Sequence, residues 1–472
     1  MLHSANQNYQ IQTLRIDPKT DITDIFHRYS DQSWSMLLDS SNSQHKNARF
    51  DIMVAQPVAW ITAKGHTCTI CDIDQTRTIK SGDPITLLRE LMQTTFDLAA
   101  PTNRSPSLPT LPFGCGAVGF FGYDLGRCFE ELPHYSRESY ETPDMAVGLY
   151  AWSLIKDNHT GTFYLCCLDG FDSPQAEQFE QNAQTKPTTT HNTFTLTSEW
   201  HANMDEAQYK QNLAKVHDYL RAGDCYQVNL AQRFQSDYSG TPWQAYTSLR
   251  EANRAPFSAY INLPHSSVIS ISPERFLSVR SGQVETQPIK GTRPRSTDKK
   301  EDEQHIQALQ SSVKDRAENL MIVDLLRNDL SKSCQDHSIQ VPQLFAVESF
   351  AAVHHLVSTV TGKLTPKHDA LSLLRGAFPG GSITGAPKIR AMEIIDELEP
   401  HKRNIYCGSI GYIDLNGDMD TSICIRTLLC ENNTIYCWAG GGIVLDSVDK
   451  DEYQESFDKV SKILPVLAKL KG

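Results

Sequence analysis

The sequence predicts an α+β protein in which helices cover antiparallel sheets. Three observations carry this. Strand-like runs are short and meet at hairpin signals, as at Asn416-Gly417 and Asn432-Asn433 in "SIGYIDLNGDMDTSICIRTLLCENNTIYCWAGGGIV". Segments of helical period lie elsewhere in the chain. The 472 residues exceed what one simple core supports, so two domains or one large composite domain is expected.

Taken in order, the first 172 residues are strand-rich, with "WSMLLDS", "RFDIMVAQPVAWIT", "GAVGFFGYD" and "MAVGLYAWSLI" punctuated by Gly, Pro and Ser. A polar, Thr-rich connection follows over 173–202. The third region, 203–472, mixes helices and strands. Tyr209, Leu213, Val216 and Leu220 recur at helical spacing and stop at Gly223. "CYQVNLAQRF" then alternates like a strand. One long helix is predicted from Glu301 to Leu330 through Ile306, Leu309, Val313, Ala317, Leu320 and Met321, and another over "DEYQESFDKVSKIL". No internal repeat is visible.

Hydrophobic content of 39% and charged content of 21% are those of a soluble globular protein. No apolar run approaches the roughly 20 residues that span a bilayer, and "MLHSANQNYQ" has no secretory character. A net charge of −12 argues against nucleic-acid binding. It leaves room for a small anion held by a local cluster of cations. The twelve cysteines show no disulfide framework. The one C-x-x-C, Cys68 to Cys71 near His66, has no second pair to complete a zinc site and reads as a strand. A reducing cytoplasm fits this usage.

Several residues carry chemistry. "ETQPIKGTRPR", Glu285 to Arg295, is broken by two prolines and a glycine and crowds three cations into six residues, with Lys290 just before Gly291-Thr292. A surface loop also carries such charge for solubility alone. Glu452 and Glu455 share a helix face with Lys459 one turn on, and Glu318 lies on the earlier helix. Converging carboxylates suit Mg²⁺; a solvated Glu/Lys face gives the same pattern. "GGSITGAPK", Gly380 to Lys388, fails as a P-loop because Ala386 follows Gly385. A Gly-rich loop entering a helix nonetheless offers N–H groups to an anion. Gly441 lies in a second glycine cluster, "AGGGIV". Arg426, among apolar residues in "ICIRTLL", requires an anion, either internal or a ligand carboxylate. These features reach an enzyme acting on a small anion.

Nine blocks between Asp205 and the C-terminus resemble, in order, the chorismate-utilising enzymes: "SPERF", "PIKGTRPR", "AENLMIVDLLRNDL", "VHHLVS", "FPGGSITGAPKIRAMEIIDELEP", "IYCGSIGY", "ICIRT", "AGGGIV" and "DEYQESFDK". The first half matches more weakly through "SMLLDS", "RFDI" and "GAVGFFGYDLGR". The resemblance implies two intertwined antiparallel sheets packed as a sandwich with helices outside, so the linear boundary near 172 need not be a physical one. It makes 203–472 the chorismate-binding catalytic region. Lys290 places the chain with the members that aminate chorismate at C4; anthranilate synthases carry alanine there.

The implied roles follow residue by residue. Lys290 is the nucleophile at C2 of chorismate, helped to its neutral form by Arg293 or Mg²⁺. Glu274 is the acid for the departing C4 hydroxyl. Glu318, Glu452 and Glu455 hold Mg²⁺. Gly291, Thr292, His355, Ser382, Tyr406, Arg426, Gly441 and Lys459 surround the substrate. Ammonia comes from solution or from a separate glutamine amidotransferase subunit, because "GCGAVG" around Cys115 lacks the rest of a glutaminase domain, and no fused lyase is expected. A tryptophan site is implied at Leu38, Asp39 and Ser40, with Phe120, Phe121 and Tyr123 as walls. The rivals are an anthranilate synthase component, opposed by Lys290, and a water-using isochorismate or salicylate synthase, opposed by Gln227 where a lysine is expected. An inactive chorismate-binding regulatory subunit is opposed by the retained carboxylates. A Schiff-base aldolase shares only the lysine.

Overall fold

The computed structural model describes residues 9–41, 43, 45–96, 110–185, 193–349 and 353–470; the middle of the polar connection, 186–192, lies outside them. Among the described residues two large sheets form, of 13 and 12 strands. Their ladders are antiparallel, and neighbours in space are often distant in sequence. In the first sheet Met36–Asp39 pairs with Phe257–Asn262. In the second, Gly116–Phe121 pairs with Ser409–Asp414. Both sheets therefore draw strands from either side of residue 172.

The strand pattern shows why the sheets stack. Met36 and Leu38 pack in the core between the sheets, whereas Leu37 packs in a second core on the outer face of the first sheet. Ile52, Met53 and Val54 repeat this alternation, as the two-residue side-chain period requires. Apolar residues on both faces mean that this sheet is covered on both sides. The outer cover comes from helices, among them Ile22–Phe26, Pro242–Asn253 and Leu464–Ala468. Phe26, Trp243, Tyr246 and Tyr260 interlock there with ring centroids 5.0–6.1 Å apart. Each such buried ring contributes about 1.5–3 kcal/mol of apolar burial. The polar connection is also anchored, since Ala176 and Phe179 of its helix Ala176–Gln184 are buried and Phe179 packs against Tyr29 and Trp152.

The hairpin signals are realised. Asn432 and Asn433 take φ of +50° and +60° between Cα partners Glu431 and Thr434, the left-handed pair that a two-residue hairpin needs. The helix Glu206–Ala222 ends on Gly223 at φ +81°. The long helix expected from Glu301 to Leu330 is instead two helices, Lys299–Ser311 and Val313–Ser331. Ser312, at ψ 111°, leaves the helical region, and its hydroxyl accepts from the Asp315 N–H as an N-cap. The last predicted helix likewise stops at Asp458, and Leu464–Ala468 restarts with Pro465 in its first turn.

Candidate active site

Lys290 lies on the strand Ile289–Pro294, which pairs with Val353–Lys363. The register slips between Lys290 and Thr292, where Gly291 takes φ +73°. This is a bulge of the kind glycine permits. A Cβ at Gly291 would lie 2.8 Å from Leu309 Cδ1 and 3.0 Å from Asp315 Cγ, so the close approach also demands glycine. The three cations of the loop separate. Arg293 pairs with Asp315 at 3.0 Å and Arg295 with Asp302 at 3.0 Å. Lys290 turns inward, and its Nζ donates to the Ser382 carbonyl at 3.3 Å. Burial holds its pKa below the usual lysine range; Lys459 acts the same way, while Glu318, Glu274 and Glu455 oppose. The nearby helper cation is thus Lys459, and Arg293, expected in that role, is spent on Asp315.

Glu274 sits in the bend between Ser266–Ser272 and Arg275–Arg280 and is only 6% exposed. The bend is fixed from below: Ser272 Oγ donates to the Ile423 carbonyl at 2.6 Å, and the Ile423 N–H donates to the Glu274 carbonyl at 3.0 Å. Its carboxyl accepts from Ser382 Oγ at 3.3 Å. Burial pushes its pKa up to about 7, against the pull of Lys290, the Ile289 N–H, Ser382 and Lys459. Ser382 therefore touches both groups, its carbonyl on the amine and its hydroxyl on the acid. An acid whose pKa is raised toward neutrality beside an amine whose pKa is lowered suits nucleophilic displacement of a poor leaving group.

The carboxylates arrive on two helices. Glu452 and Glu455 project from Asp449–Asp458 onto the glycine-rich end of the strand Thr434–Ile443. A Cβ at Gly441 would lie 3.0 Å from Glu455 Oε1 and 3.1 Å from Glu452 Oε2, so a side chain there would press on both carboxylates. Ser447 Oγ donates to Glu452 Oε1 at 2.6 Å. Lys459 Nζ spans Glu455 Oε1 at 2.6 Å and the Gly440 carbonyl at 2.7 Å. Glu318 comes from Val313–Ser331, with Lys314 4.0 Å away. Burial raises the pKa of Glu318 and of Glu452, and Glu452 adds to the rise at Glu318. At Glu455 burial also raises the pKa, but Lys459 outweighs it and the net direction is down. Among the described residues no three His, Cys, Asp or Glu side chains stand together as a metal cluster. The donor set still fits a hard divalent cation: all donors are oxygens, and Glu318 and Glu452 act on each other through their like charge, with Lys290, Lys314 and Lys459 offsetting part of it.

Around these groups lie residues suited to an anion. Arg426, at φ +52° just before Thr427–Glu431, is half-buried. Among the described residues none accepts a hydrogen bond from its guanidinium, and Glu274 is the carboxylate whose charge acts on it. Burial lowers its pKa, opposed by Glu274. His355 Nδ1 lies 2.9 Å from Thr292 Oγ1, and burial together with Arg426 pushes its pKa down to about 4, so it is neutral at pH 7. Tyr406 stacks on Trp438 at 6.1 Å and 5°, within the core wall. No hydrogen bond joins it to Lys290 or Glu274 among the described residues. Gln227 is fully buried against Gly442, and neither amide atom has a partner among the described residues. Lys388 of the glycine-rich loop is committed to Asp329 and the Ala377 carbonyl, each at 2.7 Å.

The residues read as a tryptophan site stand apart. A cavity of about 400 Å³ opens between the sheets, bordered by Leu38 and Asp39 but not Ser40. The Asp39 carboxylate is turned to Arg250, to the Tyr246 hydroxyl at 2.7 Å and to the Ser41 N–H at 2.7 Å. Ser40 Oγ donates to Asp51 at 2.6 Å. The walls are Phe50, Phe257, Ile410 and Tyr412, in place of Phe120, Phe121 and Tyr123, which are buried elsewhere in the core.

A half-buried lysine, a buried glutamate, two neighbouring helix carboxylates and an arginine without a side-chain acceptor thus lie close together between two antiparallel sheets. Residues 35–465 match the family of chorismate binding enzymes, and the chain belongs to that family. It is 52% identical over 440 residues to "Aminodeoxychorismate synthase component 1" of Klebsiella aerogenes, covering 93% of this chain and 95% of the relative. It is 50% identical over 444 residues to the protein of the same name from Escherichia coli (strain K12), covering 94% and 95%. "Anthranilate synthase component 1" of Lactococcus lactis is 34% identical over 466 residues, covering 97% and 99%. The crystal structure of anthranilate synthase component I from Streptococcus pneumoniae TIGR4 superposes with a TM-score of 0.76 at 31% identity, covering 89% of this chain and 93% of that one.

Proposed function

We propose that this chain is component 1 of an aminodeoxychorismate synthase. It converts chorismate and ammonia to 4-amino-4-deoxychorismate, on the route to 4-aminobenzoate and folate. The observation that carries this reading is the inward-turned Lys290 amine beside the protonatable Glu274, linked through Ser382. Relatives of at least 50% identity bear the same name. An anthranilate synthase, the nearer rival, needs no amine at this position.

The chain's own groups divide the work. The neutral Lys290 amine attacks C2, the ring double bond shifts, and the C4–O bond breaks. Glu274 gives its proton to the departing oxygen, which leaves as water. Ammonia then adds at C4, the electrons shift back, and the C2–N bond breaks to return the lysine. Arg426 holds a substrate carboxylate, and neutral His355 with Thr292 borders the ring. Glu318, Glu452 and Glu455 would hold Mg²⁺, which when bound neutralises charge on the dianionic substrate. Gly441 keeps the space in which Glu452 and Glu455 can meet the ion.

Two partners complete the proposal. A glutamine amidotransferase subunit supplies ammonia, in keeping with the "component 1" of the relatives' names. Tryptophan, or an amino acid of its size, occupies the cavity between the sheets, held by backbone groups and by the aromatic walls rather than by Asp39 and Ser40. All twelve cysteines are free thiols, which suits a reducing cytoplasm. No helix among the described residues is long and apolar enough to cross a membrane. The test is product identification from chorismate, Mg²⁺ and ammonium with the purified chain. The expected product is 4-amino-4-deoxychorismate; anthranilate as the main product would overturn the reading.

A further inference from the structure

The helix Lys388–Leu398 ends at Glu399, ahead of Pro400, and delivers a fully buried ion pair. Arg403 is 1% exposed and Glu399 5%. Arg403 Nε donates to Glu399 Oε2 at 2.9 Å and Nη2 to Oε1 at 2.6 Å. The pair is not merely self-satisfied. Glu399 Oε1 also accepts the Ala231 N–H at 2.9 Å. Arg403 Nη2 donates to the Asn229 carbonyl at 2.7 Å, and Nη1 to the Ile383 carbonyl at 3.1 Å. Its guanidinium lies 4.8 Å from the Tyr123 ring centroid and 5.5 Å from that of Tyr406.

One side chain thus ties together the strand Gln227–Ser239, the loop carrying Tyr406 and the turn Gly381–Ile383. The turn matters most. Ile383 directly follows Ser382, whose carbonyl receives the Lys290 amine and whose hydroxyl contacts Glu274. The Asn229 N–H donates to the Thr384 carbonyl at 2.8 Å, a second pin on the same turn. A buried ion pair is weak evidence for stability, because desolvation cancels much of its attraction. A planar fork that spends its donors on two backbone carbonyls and a carboxylate is better explained by geometry.

We propose that Arg403 is a positioning residue for the reaction: oriented by Glu399, it fixes the Gly381–Ile383 turn so that Ser382 aligns the Lys290 amine with the Glu274 acid. The inference rests on the reading of Lys290 and Glu274 given above. Lysine at 403 keeps the charge for Glu399 but lacks the fork to hold Ile383 and Asn229 together. A displacement of about 1 Å in such a turn costs on the order of a hundredfold in rate.

The test is a pH–rate series on the wild type, Arg403→Lys, Ser382→Ala and the Arg403→Lys/Ser382→Ala double variant. Arg403→Met/Glu399→Gln is run alongside, since it removes both buried charges together. Arg403→Lys is expected to lower kcat by roughly 10- to 100-fold while KM for chorismate changes less than about threefold. Glu274 faces Lys290, Lys459 and Arg426, and the Ser382 hydroxyl is the neutral donor that favours its ionised form. Loosening that donor moves the alkaline limb of kcat to higher pH. Ser382→Ala should move it equally, and the double variant no further. A fold defect would lower the rate at every pH and leave the limb in place.

An unmoved limb in Ser382→Ala, in Arg403→Lys or in the charge-free double variant overturns the inference, as does additivity of the Arg403 and Ser382 effects. Failure of the wild type to aminate C4 would instead sink the proposed function.

Discussion

Glu274→Gln separates stability from catalysis. The carboxyl is 6% exposed and its pKa is raised from an ordinary 4.5 to about 7. The folded state therefore binds the proton more tightly than the unfolded state. Folding carries no penalty from this group below the unfolded value, and stability falls as pH rises from about 4.5 to about 7. At about 1.4 kcal/mol per pH unit, the carboxylate costs the fold at most ~3 kcal/mol above pH 7. Glutamine keeps the shape and cannot ionise, so the variant should gain up to that amount at pH 8 and less than ~1 kcal/mol at pH 5. Its turnover should fall by roughly 10²- to 10⁴-fold for loss of the acid. Urea unfolding at the two pH values measures the first effect and steady-state kinetics the second. An equal stability change at pH 5 and pH 8 would refute the claim that Glu274 is held protonated by burial.

Lys290→Ala should abolish 4-amino-4-deoxychorismate formation and turn residual activity toward direct amination at C2, read by chromatography. Glu452→Gln and Glu455→Gln should each shift the Mg²⁺ concentration for half-maximal activity upward by tenfold or more, on the order of a lost charged ligand. Unchanged titrations in both would return these residues to an ordinary ion-paired helix face. Tryptophan added to protein that has been unfolded, dialysed and refolded should raise the thermal midpoint by mass action, and less so in Phe257→Ala; identical melting curves would leave the cavity without this ligand.

The strands and the hairpins were legible because each has a local signature, whereas the role expected of Lys290 came from the order of the family-like blocks around it. Asn432-Asn433 encodes its own left-handed turn, and the Lys290-Gly291 bulge needs a glycine that the sequence displays. The break at Ser312 was missed although Ser312 and Asp315 spell a helix N-cap, because apolar periodicity runs straight through it. The restart at Leu464 had Pro465 as its signal. Other misreadings were tertiary. Asp39 meets Arg250 of a distant helix, and Arg293 meets Asp315 at the start of the helix Val313–Ser331, so neither carboxylate nor guanidinium is free for a ligand. The Arg403 clamp shows in the sequence only as a Glu399–Arg403 pair four residues apart: the Asn229 and Ile383 carbonyls that meet Arg403, and the Ala231 N–H that meets Glu399, converge only through the fold.

The central claim is that Lys290 becomes covalently bonded to the substrate. Enzyme mixed with chorismate and Mg²⁺ without ammonia, quenched in acid and digested, should yield one peptide of increased mass, with fragmentation placing the adduct on Lys290. Adding ammonium before the quench should discharge it. Turnover to 4-amino-4-deoxychorismate with no adduct on that peptide, or with an adduct on another residue, would contradict the account.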